Sequence, residues 1–177
     1  CSSDLKLGDS QSNDQLIYTD KNNPQRYFGA QTTDDGRFLF VNISAGTSGG
    51  QIIGKDLRAG DSDFKLLCPG FDNDFTILDN QDNYLICFTN YNAPNYKVVL
   101  IDFNNPAPEN WKDLIPEQKE LLQNVSVAGG KLFTTYLKDA SSHVYQYSRA
   151  GKMEREIQLP GIGTVSGFGG EKEIGRA

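Results

Sequence analysis

Three short stretches of this chain read as one stretch written three times. Asp35-Gly36, Asp82-Asn83 and Gly129-Gly130 each lead into an apolar run of β type. The runs are Phe38-Leu39-Phe40-Val41, Tyr84-Leu85-Ile86-Cys87-Phe88 and Lys131-Leu132-Phe133-Thr134. The turn glycine or its equivalent falls at 36, 83 and 130, so both intervals are 47 residues (83 − 36 and 130 − 83). A period of roughly 20–50 residues marks stacked supersecondary units. The competing reading is coincidence among turn glycines. It is disfavoured because the strand pattern around the turns repeats as well. The units are made of strands, so the spacing predicts an all-β fold, a β-propeller or part of one.

Each repeat divides into four antiparallel strand candidates. The first has 27–31, 38–44, 51–57 and 64–67. The second has 74–78, 84–89, 97–103 and 111–115, and the third 121–128, 131–136, 143–147 and 154–158. Asp35-Gly36 and Gly129-Gly130 are strong two-residue hairpin signals, because type I′ turns need positive φ. Asn104-Asn105-Pro106-Ala107-Pro108 ends a strand, since proline has no ladder donor. Helix signals are thin: 116–122 has room for one turn. At the ends, 5–8 and 15–19 read as two strands of a preceding blade, and 164–169 as the first strand of a following one. The expected domain map is therefore the end of a blade at 1–26, blades at 27–69, 70–118 and 119–160, and the start of another at 161–177. Three complete blades with two partial ones do not close a ring of about four to eight, so the chain reads as part of something longer.

Charge narrows the partners. The chain carries a formal net charge of −6, with no basic cluster to offset it. A phosphate backbone would be repelled, which argues against nucleic acid. No apolar run approaches the ~20 residues of a membrane helix, and the first residues lack the regions of a signal peptide. Cys1 stands where a processed bacterial lipoprotein carries its lipid, though a chain boundary explains it more simply. Cys68 and Cys87 lack CxxC spacing and read as small buried hydrophobes. The compartment stays open between cytoplasm and periplasm.

The blades carry a family likeness. Thr33-Asp34-Asp35-Gly36-Arg37-Phe38-Leu39-Phe40-Val41 resembles the S-D-D-G-R-Y strand in the propeller of prolyl oligopeptidases. Asn95-Tyr96-Lys97-Val98-Val99-Leu100-Ile101-Asp102, with Pro94 in front, is similar to that family's P-N-Y-R segment ending in I-D. Trp111-Lys112-Asp113-Leu114-Ile115-Pro116-Glu117 resembles its W-K-x-L-[VI]-P-E strand, and Leu7-Gly8-Asp9-Ser10-Gln11-Ser12 its L-G-T-x-Q-S. The resemblance implies a propeller that caps an α/β-hydrolase peptidase domain and admits only short peptides. That catalytic domain and those peptides would be the partners. By the same resemblance Tyr27, Ser44 and Thr47 are substrate-cavity candidates. Ser44 and Thr47 stand where the eukaryotic-type pattern has an arginine and a cysteine, so any contact there is altered.

Other motifs have plainer explanations. Gly46-Thr47-Ser48-Gly49-Gly50 matches the G-x-S-x-G nucleophile elbow, yet a strand candidate follows it rather than the helix an elbow requires. The single histidine, His143, falls in a strand pattern, so no catalytic residue is expected. Asp72-Asn73-Asp74 and Asp79-Asn80-Gln81-Asp82 lack the glycine and terminal glutamate of a calcium loop and suit turns. No metal or other cofactor is expected. The turn at residues 32–36 only partly resembles the Asp-box of sialidases. Asn42-Ile43-Ser44 and Asn124-Val125-Ser126 are sequons inside strands. The aromatic residues, Trp111 among them, suit packing between sheets.

The expected function is thus a non-catalytic segment of a substrate-gating propeller. The alternative is a stand-alone scaffold module that binds proteins or glycans. Uncovered end faces of the chain would also favour self-association.

Overall fold

The computed structural model describes residues 2–4, 8, 10–161 and 163–165. Among them are fourteen strands and two single 3₁₀ turns, at Gln11–Asn13 and Pro108–Asn110. The fold is all-β. The chain divides into two compact units, Cys1–Asn73 and Asp74–Ala177.

The first unit holds β1 (Ser2–Asp4) paired with β2 (Gln15–Tyr18), and a four-stranded antiparallel meander. The meander runs β3 (Tyr27–Thr32), β4 (Phe38–Ser44), β5 (Gln51–Asp56) and β6 (Lys65–Cys68) in sequence order. Its period-2 pattern puts Phe38, Phe40 and Ile52 on one buried face. On the other face Phe28 meets Tyr18 edge to face at 5.4 Å, and Tyr18 also meets Phe64.

The second unit holds two further meanders. One is β7 (Phe75–Gln81), β8 (Tyr84–Thr89), β9 (Lys97–Asp102) and β10 (Lys112–Ile115). The other is β11 (Leu121–Ala128), β12 (Lys131–Lys138), β13 (Ser141–Ser148) and β14 (Met153–Ile157). Their shared core joins Ile86, Val98, Ile115, Leu122, Leu132 and Tyr136. Leu67 in β6 and Leu114 in β10 are each the extra residue of a bulge against the neighbouring strand, and they lie 47 positions apart. Phe38, Leu85 and Leu132, spaced by the same period, are all fully buried near the start of the second strand of their sheets.

A polar knot ties these two meanders together. Arg149, in the β13–β14 turn, places Nη1 2.6 Å from the carboxylate of Asp79, which is 2% exposed. Its Nη2 donates to the Asn80 carbonyl at 2.7 Å, and Gln81 Nε2 donates back to the Arg149 carbonyl at 2.7 Å. Gly151 completes the contact. A Cβ there would stand 2.2 Å from the Leu114 carbonyl oxygen, and its φ is +76°. Only glycine fits.

Several local expectations change. Asp35-Gly36 is not a type I′ turn, since Gly36 alone has positive φ. Buried Thr33 takes over the closure: its Oγ1 accepts the Phe38 N–H at 3.1 Å and donates to Asp35 Oδ1 at 2.7 Å. Gly129-Gly130 does have positive φ at both residues, and so do Asp139 and Ala140 between β12 and β13. Asp139-Ala140 forces a two-residue turn without glycine, and both flanking strands run longer than the pattern indicated. In β7 a bulge between Ile77 and Asp79 carries the strand through to Gln81. Residues 116–120 are extended or bent, and Leu121 already belongs to β11, so no helical turn forms. At the N-terminus the partner of β2 is Ser2–Asp4. Residues 5–7 and 166–169, expected to be strand, lie outside the described residues, and Thr164 and Val165 are not strand.

Candidate functional site

The β3–β4 hairpin brings two of the three cavity candidates together. Tyr27 and Ser44 are direct cross-strand partners, at the end of the hairpin away from its turn. Their side chains share a face, because residues opposite each other in an antiparallel pair point the same way. Tyr27 is 71% exposed. Thr47 follows three residues beyond Ser44, exposed in the bend that links β4 to β5.

That bend is held from behind. Gly49 has φ +71°, and a Cβ on it would lie 1.9 Å from the Phe71 carbonyl oxygen. The Gly50 N–H donates to the Asn73 carbonyl at 3.0 Å. The last two glycines of the G-x-S-x-G match thus serve a close crossing of two chain segments, and Ser48 is exposed on the loop. Nearby, the guanidinium of Arg26 lies 4.6 Å from the Phe71 ring centroid and pairs with Asp20 at 3.2 Å. The hydrogen bond from Asn23, followed by those from the Asn22 and Asn23 N–H groups and by the Arg26 charge, lowers the Asp20 carboxyl below its usual value against a smaller burial effect.

The rim is uncharged. No Asp, Glu, Lys, Arg or His occurs between Arg37 and Lys55, nor from Tyr27 to Thr33. Its chemistry is a phenol, short hydroxyls and backbone. Such a rim offers hydrogen bonds and an aromatic surface, with no nucleophile activated by a base.

His143 belongs to the other unit and is engaged within its own sheet. Its Nδ1 lies 2.9 Å from Glu156 Oε1, and its Nε2 lies 3.5 Å from Ser141 Oγ. Ser141 donates its hydroxyl to the Lys138 carbonyl at 2.9 Å, away from the imidazole. This serine is not set up for attack. Of the acidic residues, Asp74 accepts the Tyr96 hydroxyl at 2.6 Å, which with burial raises the Tyr96 phenol, while Asp79 is held by Arg149. Among the described residues no three His, Cys, Asp or Glu side chains group as metal ligands. Cys68 and Cys87 are buried thiols. Trp111 donates Nε1–H to the Pro106 carbonyl and packs edge to face on Phe75.

What the sequence motifs missed is the exposed outer edge of β3. Five of its six residues are exposed, and its outer edge carries no other strand of its sheet. The available signal was the absence of charge and proline from Tyr27 to Thr32.

The model of one protein family, the prolyl oligopeptidase N-terminal beta-propeller domain, matches residues 4–176. A prolyl endopeptidase of Elizabethkingia meningoseptica is 44% identical over 167 residues, which cover 94% of this chain and 23% of that protein. A dual function macrocyclase-peptidase of Galerina marginata is 29% identical over 168 residues, covering 91% of this chain and 23% of the relative. Among solved structures, one from a study of two prolyl endopeptidases superposes with a TM-score of 0.82 at 32% identity, over 92% of this chain and 24% of that one. Prolyl oligopeptidase B of Galerina marginata, bound to a 35mer hydrolysis and macrocyclization substrate, superposes at 0.85 with 26% identity, over 96% and 24%. The chain therefore spans about a quarter of the length of these relatives. Its three meanders match part of a β-propeller domain.

Proposed function

Because the chain belongs to the prolyl oligopeptidase N-terminal β-propeller family, we propose that it is a gating segment of a serine peptidase acting on short proline-containing peptides. In this reading the segment supplies no catalytic group. It acts beside an α/β-hydrolase domain, and its rim of Tyr27, Ser44 and Thr47 meets the peptide. The blade map 1–26, 27–69, 70–118, 119–160 and 161–177 is part of the same proposal. So is self-association through sheet surfaces that carry exposed Leu66 and Met153.

The observation that supports it best is the Tyr27–Ser44 pair beside a glycine-braced, uncharged loop. In the full-length protein, Tyr27→Ala and Thr47→Arg should each change kcat/KM for peptides of ten or so residues by about three- to tenfold. The turnover of a fluorogenic Gly-Pro dipeptide should stay the same. Equal effects on both substrates, or none on either, would remove the rim from the reading. The segment alone should not be labelled at Ser48 by a fluorophosphonate probe.

A further inference from the structure

The first sheet leaves one edge open in a way the other sheets do not. The three meanders have six terminal strands: β3, β6, β7, β10, β11 and β14. Proteins guard such edges with charge, proline or bulges, because a bare edge recruits another strand. Lys65 marks β6, Lys112 and Asp113 mark β10, and Glu154, Arg155 and Glu156 mark β14. Bulges interrupt β7 between Ile77 and Asp79 and β11 between Leu122 and Asn124. β3 has none of these: its sequence is Tyr-Phe-Gly-Ala-Gln-Thr, and its register with β4 is unbroken over six pairs.

The register also tells which groups face outward. Thr33 N–H donates to the Phe38 carbonyl, so this pair is of the hydrogen-bonded kind. Pairs alternate along an antiparallel ladder. Gln31, Gly29 and Tyr27 then spend their N–H and C=O on β4, while Thr32, Ala30 and Phe28 turn theirs outward. No backbone hydrogen bond to those three outward residues occurs among the described residues beyond the strand pairing itself. Gly29 adds a second observation. Its φ is not in the left-handed region, and a Cβ on it would meet nothing within 4 Å. The fold does not require glycine there, and a strand glycine without a packing reason marks a place where another backbone approaches.

We propose that the outer edge of β3 receives an extended, uncharged peptide segment by main-chain pairing, adding a strand to the first sheet. This rests on the reading of the chain as part of a peptide-handling propeller. The outward N–H and C=O groups of Phe28, Ala30 and Thr32 recur every second residue, about 7 Å apart, and they match alternate residues of an extended peptide. Proline is compatible with this mode where its missing N–H faces away from β3. Charged side chains find no partner on β3 or on the neighbouring β4. Tyr27, on the same hairpin, stands at the end of the track.

The test uses the chain and a blocked, uncharged octapeptide with one central proline. Hydrogen exchange should show saturable protection of the Phe28, Ala30 and Thr32 amides, with Gly29 and Gln31 unchanged. Ala30→Pro removes one outward N–H without touching the β4 pairing, and should weaken binding about tenfold. Thr32→Pro, at the strand end, is an independent variant should Ala30→Pro fail to fold, and Ala30→Val should bind as the parent does. Octapeptide binding that leaves those three amides unprotected overturns the edge and leaves the peptide-handling reading intact. No binding also overturns the edge. The peptide-handling reading then stands or falls on the Tyr27→Ala and Thr47→Arg effects in the full-length protein. Protection that grows with chain concentration in the absence of peptide assigns the edge to a second copy, and likewise overturns the proposal.

Discussion

Glu117 accepts the backbone N–H of Asn95 through Oε1 at 2.6 Å. Asn95 in turn donates Nδ2 to the carbonyls of Gln118 and Lys119, and its own carbonyl takes the Leu122 N–H. Two segments that carry the family likeness separately are therefore one contact, which fastens the β8–β9 loop to the crossing into the last sheet. Glu117→Ala should destabilise the protein by about 1 kcal/mol, the usual size for a single hydrogen bond near the surface. Glu117→Gln should keep most of it. Urea unfolding of both variants checks this.

Arg149 and Asp79 should be the most costly polar pair to break. Arg149→Met leaves a buried carboxylate without its countercharge, a change that costs about 3–5 kcal/mol. Replacing both residues with apolar ones of similar size should recover most of that loss. Thermal and urea unfolding of the single and double variants form the cycle, and an additive result would mean that the two residues act independently.

Two loop glycines of the first unit, Gly49 and Gly36, should differ sharply. Gly49→Ala places a methyl onto the Phe71 backbone at positive φ, so left-handed strain and overpacking add to roughly 2–5 kcal/mol. Gly36 has φ +65° with open space around it, so Gly36→Ala should cost only about 1–2 kcal/mol. The midpoints of urea denaturation separate the two.

Acid should loosen the β5 end of the first sheet. Burial raises the Asp56 carboxyl, yet the bonds from Arg37 Nε and Nη2 and from the Arg58 and Ala59 N–H groups outweigh it, so it is held below its usual value. A carboxyl lower in the folded state than in the unfolded one adds stability above its unfolded value, about 3.9. That stability is lost as pH falls through the folded value, so the loss should begin below about pH 4. Asp56→Asn should be less stable at pH 7 and flatter with pH in that range. Denaturant titrations at pH 7, 4 and 3 read out both.

The repeating turns made the strand count legible, and β4, β8 and β11 begin and end where the residue pattern places them. Boundaries failed where side chains or strain replaced the expected turn chemistry. Thr33 closes the first hairpin with its hydroxyl, and Asp139-Ala140 turns with no glycine at all. The bulge in β7 added residues that period-2 counting does not register. The Asp79–Arg149 pair was invisible because its members lie 70 positions apart with no local signal. The Tyr27–Ser44 neighbourhood needed the hairpin register as well as the family likeness.

Every four-stranded sheet here is assembled from strands adjacent in sequence. Loop-closure entropy within each is therefore small, and none of the three waits for a partner strand from elsewhere in the chain. During synthesis the first meander can form as soon as Cys68 clears the ribosome, followed by the second and the third. Its bare β3 edge then stands exposed while the strands of the other two meanders, eight of the fourteen described, are still unmade.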